Sequence, residues 1–291
     1  MPDMFDGFRR DDLNVGDAVI HYRTGGQGPA LLLLHGFPQS HVHWHALAPL
    51  LAEDFTVVAP DLRGYGDSTG PGASPGHHAY SKRMMAADMV RLMEHLGHTR
   101  FDLAGHDRGG RVAYRLTLDH PERVRRLVSL DTAPTIDVWD AMDMVAAVDA
   151  FHWSFLAQPH PLPEKLIGSE PVLFLNHLIG RWKGPNSLLN PDALAEYERH
   201  IVRSSVITAM CEDYRAGATV DLEHDRQDRR AGKRISCPML VLRGKQYQTE
   251  PLLPIWQRWA EDTREIAFQC GHFLAEEDPY GCAKAIRAFL A

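Results

Sequence analysis

The chain has 291 residues, of which 44% are hydrophobic and 24% charged, and its formal charge is −7. This length can bury a large core, as one α/β domain with an insertion or as two small domains. The negative charge argues against nucleic acid as a partner, and no apolar run approaches the ~18 residues of a membrane helix. The first ten residues lack the apolar stretch of a secretory signal, and the four cysteines show no metal or redox spacing. We therefore expect a cytoplasmic protein with reduced thiols and without a metal or cofactor.

Strand and helix patterns alternate along most of the chain. Strands are predicted as two short segments around a Gly-Asp turn at 13–24, and then at 30–34, at 57–61, from 101, at 124–130 and at 239–242. Helices are predicted at 84–96, 111–119, 253–260 and 280–290. Such alternation is typical of a parallel sheet flanked by helices.

The segment 135–214 differs from the rest. It shows no strand pattern, is interrupted by prolines and is rich in Trp, Phe and Tyr. We interpret it as a helical cap inserted over the ends of the strands. The predicted fold is therefore an α/β class with a mostly parallel sheet, in which 1–134 and 215–291 form the core and 135–214 the cap.

A Gly-x-Asp-x-Gly motif at 105–109 follows an apolar strand and precedes a helix. This is the nucleophile elbow of the α/β-hydrolase fold, with Asp107 where serine is usual. A carboxylate that attacks a saturated carbon leaves an ester on the enzyme, and activated water can open that ester at the aspartyl carbonyl. The motif therefore indicates displacement at saturated carbon, with a halide or an epoxide oxygen as the leaving group.

In this fold the nucleophile's partners follow it along the chain, and the histidine comes last. His272, in a Gly-His loop near the C-terminus, is the predicted base. The orienting acid is predicted to be Asp131, since the loop after 239–242 offers only Glu250. The backbone N–H groups of Phe37 and Arg108 are predicted to form the oxyanion hole.

Two arginines accompany the nucleophile, three residues apart. Arg108 and Arg111 can both reach the space beside Asp107 from the first turn of the helix. Guanidinium groups match the geometry of a carboxylate, so the pair predicts an anionic substrate. The alternative is that Arg111 faces solvent.

Three alternating histidines, His41, His43 and His45, have a spacing that could suggest metal binding. No cysteine or carboxylate is grouped with them. We interpret them as the solvent-facing start of a helix.

Five motifs together resemble the fluoroacetate (haloacetate) dehalogenases of the α/β-hydrolase superfamily. They are HGFP at 35–38, DLRGYG at 61–66, GHDRGGR at 105–111, HWSFL at 152–156 and DYRAG at 213–217. The first two and the elbow also occur in epoxide hydrolases and haloalkane dehalogenases, whereas an arginine directly after the nucleophile is much more specific.

This resemblance implies a cofactor-free hydrolase that acts on a small anionic 2-haloacid, with Asp107, His272 and Asp131 as the catalytic residues. It also implies that Arg108 and Arg111 hold the carboxylate of the substrate. The departing halide would be held by three cap residues, His152, Trp153 and Tyr214. Members of the family are often homodimers.

Other interpretations remain open at this stage. An epoxide hydrolase would use the same Asp-His-Asp triad with acid donors such as Tyr197 and Tyr214, and a ligand-binding member of the fold would not turn over at all. Trp153 and Tyr214 could be core aromatics of the cap. The bulky, charged loop at 245–250 departs from the small residues usual in the family, so release of fluoride, as against chloride or bromide, stays undecided.

Overall fold

The structure is a computed structural model that describes residues 4–291, and its centre is one eight-stranded sheet. The strands are β1 Arg9–Asn14, β2 Val19–Gly25, β3 Ala30–Leu34, β4 Thr56–Pro60, β5 Phe101–His106, β6 Val124–Leu130, β7 Met239–Gly244 and β8 Thr263–Phe268. Their order across the sheet is β1-β2-β4-β3-β5-β6-β7-β8. Only β2 runs antiparallel to its neighbours β1 and β4, so β3 to β8 form the predicted parallel sheet.

The α-helices are α1 Ala48–Leu51, α2 Lys82–His95, α3 Asp107–Asp119, α4 Thr135–Asp140, α5 Met144–Asp149, α6 Phe151–Leu156, α7 Leu162–Ser169, α8 Pro171–Trp182, α9 Pro191–Ile201, α10 Ser204–Ala218, α11 Val220–Arg230, α12 Leu253–Trp256, α13 Leu274–Glu277 and α14 Pro279–Leu290. Two short 3₁₀ helices cover His41–Trp44 and His78–Tyr80. No helix within 4–291 has the length and apolar character needed to cross a bilayer.

Burial explains which strands the sequence predicts well. All five residues of β3 and all six of β5 and β7 are buried, as expected of parallel strands covered on both faces. The two edge strands are charged, and β1 is largely exposed while β8 is partly exposed. As a result, β1 begins four residues before the predicted 13, and β8 was not predicted at all.

The parallel strands bring the predicted catalytic residues to one edge of the sheet. Asp107 follows β5, Asp131 follows β6, and His272 lies four residues after the end of β8. Phe37 lies in the loop after β3. Ligands of open α/β sheets bind at the carboxyl ends of the strands, which is where these residues meet.

The chain between β6 and β7 is helical from Thr135 to Arg230 in its described elements, α4 to α11. Helix α10 continues through Ala218, so the proposed boundary between cap and core at 214 lies inside a helix. The same helix packs on α6, α7 and α9 of the insertion and on α2 of the core.

Candidate active site

Asp107 occupies a strained turn between β5 and α3. Its φ of +47° is unusual for a residue with a side chain, and α3 begins at Asp107 itself rather than at the predicted Arg111. A Cβ on Gly105 would lie 2.5 Å from the Gly109 carbonyl oxygen, and one on Gly109 would lie 2.3 Å from that of Leu34. The two glycines are thus needed for packing.

The predicted base and its predicted acid form a hydrogen-bonded pair beside Asp107. His272 Nδ1 lies 2.7 Å from Asp131 Oδ2, and the other oxygen of Asp131 accepts the Gly244 N–H at 2.9 Å. His272 Nε2 lies 3.9 Å from Asp107 Oδ2. With the Nδ1 proton directed at Asp131, the Nε2 lone pair faces the nucleophile, as a general base requires.

The charges around Asp107 keep its carboxylate ionised. Burial by itself raises the pKa of Asp107, but the Arg111 guanidinium, followed by His272, His106 and Arg108, outweighs burial and lowers that pKa to about 2. The carboxylate is therefore an anion at neutral pH and free to act as a nucleophile.

Of the two backbone N–H groups predicted to form the oxyanion hole, one contacts the Asp107 side chain. The Phe37 N–H donates to Asp107 Oδ1 at 3.0 Å. Within the described chain, the Arg108 N–H makes no hydrogen bond to the Asp107 side chain. Phe37 is fully buried, so this donor has a fixed direction.

Arg108 is buried and largely occupied by a protein partner. Its Nε and Nη2 donate to the two carboxylate oxygens of Asp213 at 3.0 and 2.6 Å, and Nη2 also donates to the Asp213 carbonyl. Lys82 and the hydroxyl of Tyr65 donate to the same carboxylate. The remaining nitrogen, Nη1, is buried and has no hydrogen-bond partner within 4–291. A buried guanidinium nitrogen without a partner is energetically costly.

Arg111 lies closer to the nucleophile and does not face solvent. Its Nη1 lies 3.5 Å from Asp107 Oδ2 and donates to the Asp107 carbonyl and to the hydroxyl of Thr132. The Trp153 ring covers both guanidinium groups, with its centroid 4.7 Å from the Cζ of Arg111 and 5.7 Å from that of Arg108. This aromatic cover excludes water from one side of both cations.

The three predicted halide-binding residues lie together above Asp107. Ring centroids are 5.7 Å apart between His152 and Tyr214, and 5.9 Å apart between Trp153 and Tyr214. Burial lowers the pKa of His152 to about 3 and raises that of Tyr214, so the imidazole is neutral and the phenol is protonated at neutral pH. No protein hydrogen bond is made by the Trp153 indole N–H or the Tyr214 hydroxyl within the part of the chain that the structure describes.

A cavity of about 260 Å³ connects these groups. Its walls include six of the predicted site residues, Asp107, Arg111, Asp131, His152, Trp153 and His272. They also include four side chains that the sequence did not assign to the site, Thr132, Trp182, Tyr247 and Gln248. Trp182 packs on His152, with ring centroids 4.7 Å apart, and Tyr247 packs on His272 at 4.4 Å. The 245–250 loop thus contributes to the wall of the site. Arg108 and Tyr214 are not among the residues that line the cavity.

The interpretation of His41 and His43 as solvent-facing is wrong. Both are buried in the 3₁₀ helix, and only His45 is partly exposed. His41 Nδ1 lies 2.9 Å from Asp61, and His43 Nδ1 lies 3.3 Å from Glu276. The carboxylates that partner these histidines are distant in sequence, so the local pattern carried no sign of them.

The structure also shows what metal-ligating side chains come together. Within residues 4–291, one group of three has ligand atoms within 4.8 Å of one another: His21, His41 and Asp61. His21 Nδ1 lies 2.7 Å from Asp12. Asp61 accepts the backbone N–H of His41 and lies 2.9 Å from its ring nitrogen Nδ1. Hydrogen bonds within the protein account for this group, which lies outside the cavity at Asp107.

Comparison with known proteins places this geometry in a family. The model of the α/β hydrolase fold family matches residues 29–279. The chain is 42% identical to a fluoroacetate dehalogenase from Burkholderia sp., over 99% of this chain and 95% of that protein. The chain belongs to the haloacetate dehalogenase family of the α/β hydrolases. A solved structure from Nostoc sp., assigned to the α/β hydrolases, is 48% identical over 98% of each chain, with a TM-score of 0.95.

The haloacetate dehalogenase family is similar in turn to epoxide hydrolases. A soluble epoxide hydrolase from Corynebacterium sp. is 35% identical over 89% of this chain and 89% of that protein. The protein is thus a hydrolase with the fold predicted from its sequence. The choice between halide and epoxide substrates depends on the side chains around Asp107.

Proposed function

We propose that the protein hydrolyses a small 2-haloacid of the fluoroacetate or chloroacetate class to the hydroxy acid and halide. The observation that carries this proposal is a pair of guanidinium groups beside a carboxylate nucleophile. Arg111 lies on the cavity wall, and Arg108 has a buried Nη1 without a hydrogen-bond partner within 4–291. A neutral substrate would have no use for two buried cations at that point. A substrate carboxylate would satisfy both and relieve its own repulsion from Asp107.

In the first step, a carboxylate oxygen of Asp107 attacks C2 of the substrate from the side opposite the halogen. The new C–O bond forms while the C–halogen bond breaks, and the halide leaves with the electron pair, inverting the carbon. His152, Trp153 and Tyr214 supply N–H and O–H donors that stabilise the developing halide. Fluoride needs such donors most because it is a poor leaving group and strongly hydrated.

In the second step, water attacks the carbonyl carbon of the aspartyl ester and gives a proton to His272 Nε2. Asp131 stabilises the resulting imidazolium. The negative charge on the carbonyl oxygen is stabilised by the Phe37 N–H. The ester C–O bond then breaks, the product alkoxide takes the proton from His272, and Asp107 carries one oxygen from water.

Epoxide hydrolysis by the same triad is the competing function. It would need acid donors for the epoxide oxygen, and the sequence offered Tyr197 and Tyr214. The Tyr197 hydroxyl donates to Glu276 at 2.9 Å. One of the two donors is therefore committed elsewhere, which favours the haloacid.

We also propose that the protein is a cytoplasmic homodimer. Its four cysteines are free thiols, which persist in a reducing compartment. Helices α5, α7 and α8 expose large apolar side chains: Met144, Val145, Val148, Leu162, Leu166 and Leu173. A second copy of the chain would cover this surface. Light scattering after size exclusion tests it, and the L173E variant should shift the mass towards the monomer.

Halide release measured by ion chromatography across fluoro-, chloro- and bromoacetate tests the substrate class. A neutral haloalkane and a small epoxide serve as controls. Release from the haloacetates with little from the haloalkane supports the proposal, whereas epoxide hydrolysis without halide release from any haloacid contradicts it. The H272A variant should accumulate an adduct on Asp107, visible as added mass on the intact protein.

A further inference from the structure

Glu277, at the end of α13, makes an unusually complete set of hydrogen bonds for a half-buried side chain. Its Oε2 accepts the N–H groups of Gly184 and Gly271, each at 2.9 Å, and the hydroxyl of Ser187. Its Oε1 accepts the Phe273 N–H at 3.0 Å. One carboxylate therefore receives four donors from two separate segments of the chain.

Two of those donors stand on either side of the catalytic base. Gly271 and Phe273 flank His272, whose own N–H donates to the Trp182 carbonyl at 2.8 Å. The carbonyl of His272 accepts the His106 ring N–H at 2.8 Å. All three backbone N–H groups from 271 to 273 are thus hydrogen-bonded, and Glu277 accepts two of them.

The other two donors belong to the turn after α8 in the inserted helices. This turn and the His272 loop touch through their backbones, since a Cβ on Gly271 would lie 2.1 Å from the Gly184 nitrogen. A Cβ on Gly184 would lie 2.7 Å from Glu277 Oε2. The two backbones lie too close for a side chain at either glycine, and the Glu277 carboxylate accepts the N–H groups of both.

We propose that Glu277 is a positioning residue. It keeps the His272 imidazole in the position needed to act on the aspartyl ester, because it hydrogen-bonds both the His272 loop and the 182–187 turn. The proposal rests on the ester mechanism given above, for either a halide or an epoxide substrate. Because His272 acts only when water attacks the ester, loss of Glu277 slows ester hydrolysis and leaves ester formation on Asp107 almost unchanged.

The E277Q variant tests this separation. A glutamine has one acceptor oxygen and turns an NH₂ group towards backbone donors, so it cannot hold all four groups. A misplacement of about 1 Å can cost about 100-fold in rate, and we expect ester hydrolysis to fall at least about tenfold. Formation of the ester should change less than about threefold. Quenched-flow mass spectrometry of the intact protein measures both rates, and the esterified fraction at steady state should rise.

The matched control is E261Q, at an exposed glutamate whose side chain makes no hydrogen bond or ion pair within the described residues. It should leave both rates unchanged. If E277Q does not fold, E277D replaces it, because the shorter side chain cannot span both segments. Equal slowing of both steps, or unchanged hydrolysis in a folded variant, overturns the role of Glu277. Absence of any adduct in the wild-type protein and in H272A would instead refute the proposed function.

Discussion

Replacing Asp213 by asparagine removes a negative charge that is paired with two buried cations, Arg108 and Lys82. Asp213, Arg108 and Lys82 are all essentially inaccessible to solvent, and Asp213 pairs with both basic side chains. The other anion near Lys82 is Asp221, at 3.7 Å. Removing one partner of a buried pair typically costs about 3–5 kcal/mol, because a desolvated charge is left uncompensated. The whole free energy of unfolding of a domain is about 5–15 kcal/mol.

We therefore expect D213N to lose about 3–5 kcal/mol of unfolding free energy, measured by urea denaturation followed by circular dichroism. The control is D54N, which removes the carboxylate of an exposed pair with Arg287 at 2.7 Å and should cost no more than about 1 kcal/mol. The KM for haloacetate should also rise, because Asp213 orients the unpaired Nη1 of Arg108. A loss below about 1 kcal/mol in D213N would refute the argument that this carboxylate neutralises both cations.

Three further predictions follow from the same geometry. R111K keeps the charge but loses the guanidinium fork, so the KM for haloacetate should rise at least about tenfold in a halide-release assay; an unchanged KM would show that Arg111 does not bind the carboxylate. In the wild-type protein, the rate of adduct formation, measured by quenched-flow mass spectrometry, should stay flat from about pH 8 down to about pH 4, because the pKa of Asp107 is lowered to about 2 and the reactive anion is lost only as the pH falls through that value. A decline centred above about pH 4 would contradict this. G109A should prevent soluble folding, since its Cβ would lie 2.3 Å from two carbonyl oxygens. The control is G180A, in an open stretch of α8, which in thermal unfolding should be as stable as the wild-type protein or up to about 1 kcal/mol more stable.

The parts of the fold that the sequence predicts are those whose signal is local. The buried strands β3 and β5 are continuous apolar runs, and the elbow is defined by two glycines that must approach neighbouring backbone. The edge strand β8 was missed because Arg264 and Glu265 give it the composition of a surface loop. The start of α3 was placed too late because Gly109 and Gly110 are poor helix formers, and tertiary packing overrides that preference.

The residues of the site also differ in whether a local sequence signal predicts them. Asp107, His272 and Asp131 follow a chain order fixed by the fold, so they could be predicted before any geometry was known, and the structure brings all three together. Their catalytic roles stay predictions. The Asp213 carboxylate opposite Arg108, the Glu277 carboxylate at the His272 loop and the Trp182 wall depend on contacts between segments far apart in sequence. The sequence around each of these residues gives no indication of such contacts. The error at His41 and His43 has the same origin, since their carboxylate partners come from other elements.

The account depends most on the covalent ester at Asp107, and a single turnover in H₂¹⁸O tests that ester most directly. With enzyme in excess over haloacetate, the water oxygen should enter the carboxylate of Asp107 and be found in the peptide that contains it, while the released hydroxy acid remains unlabelled. Label in the hydroxy acid alone would mean that water displaces the halide directly, and the proposed mechanism would be wrong.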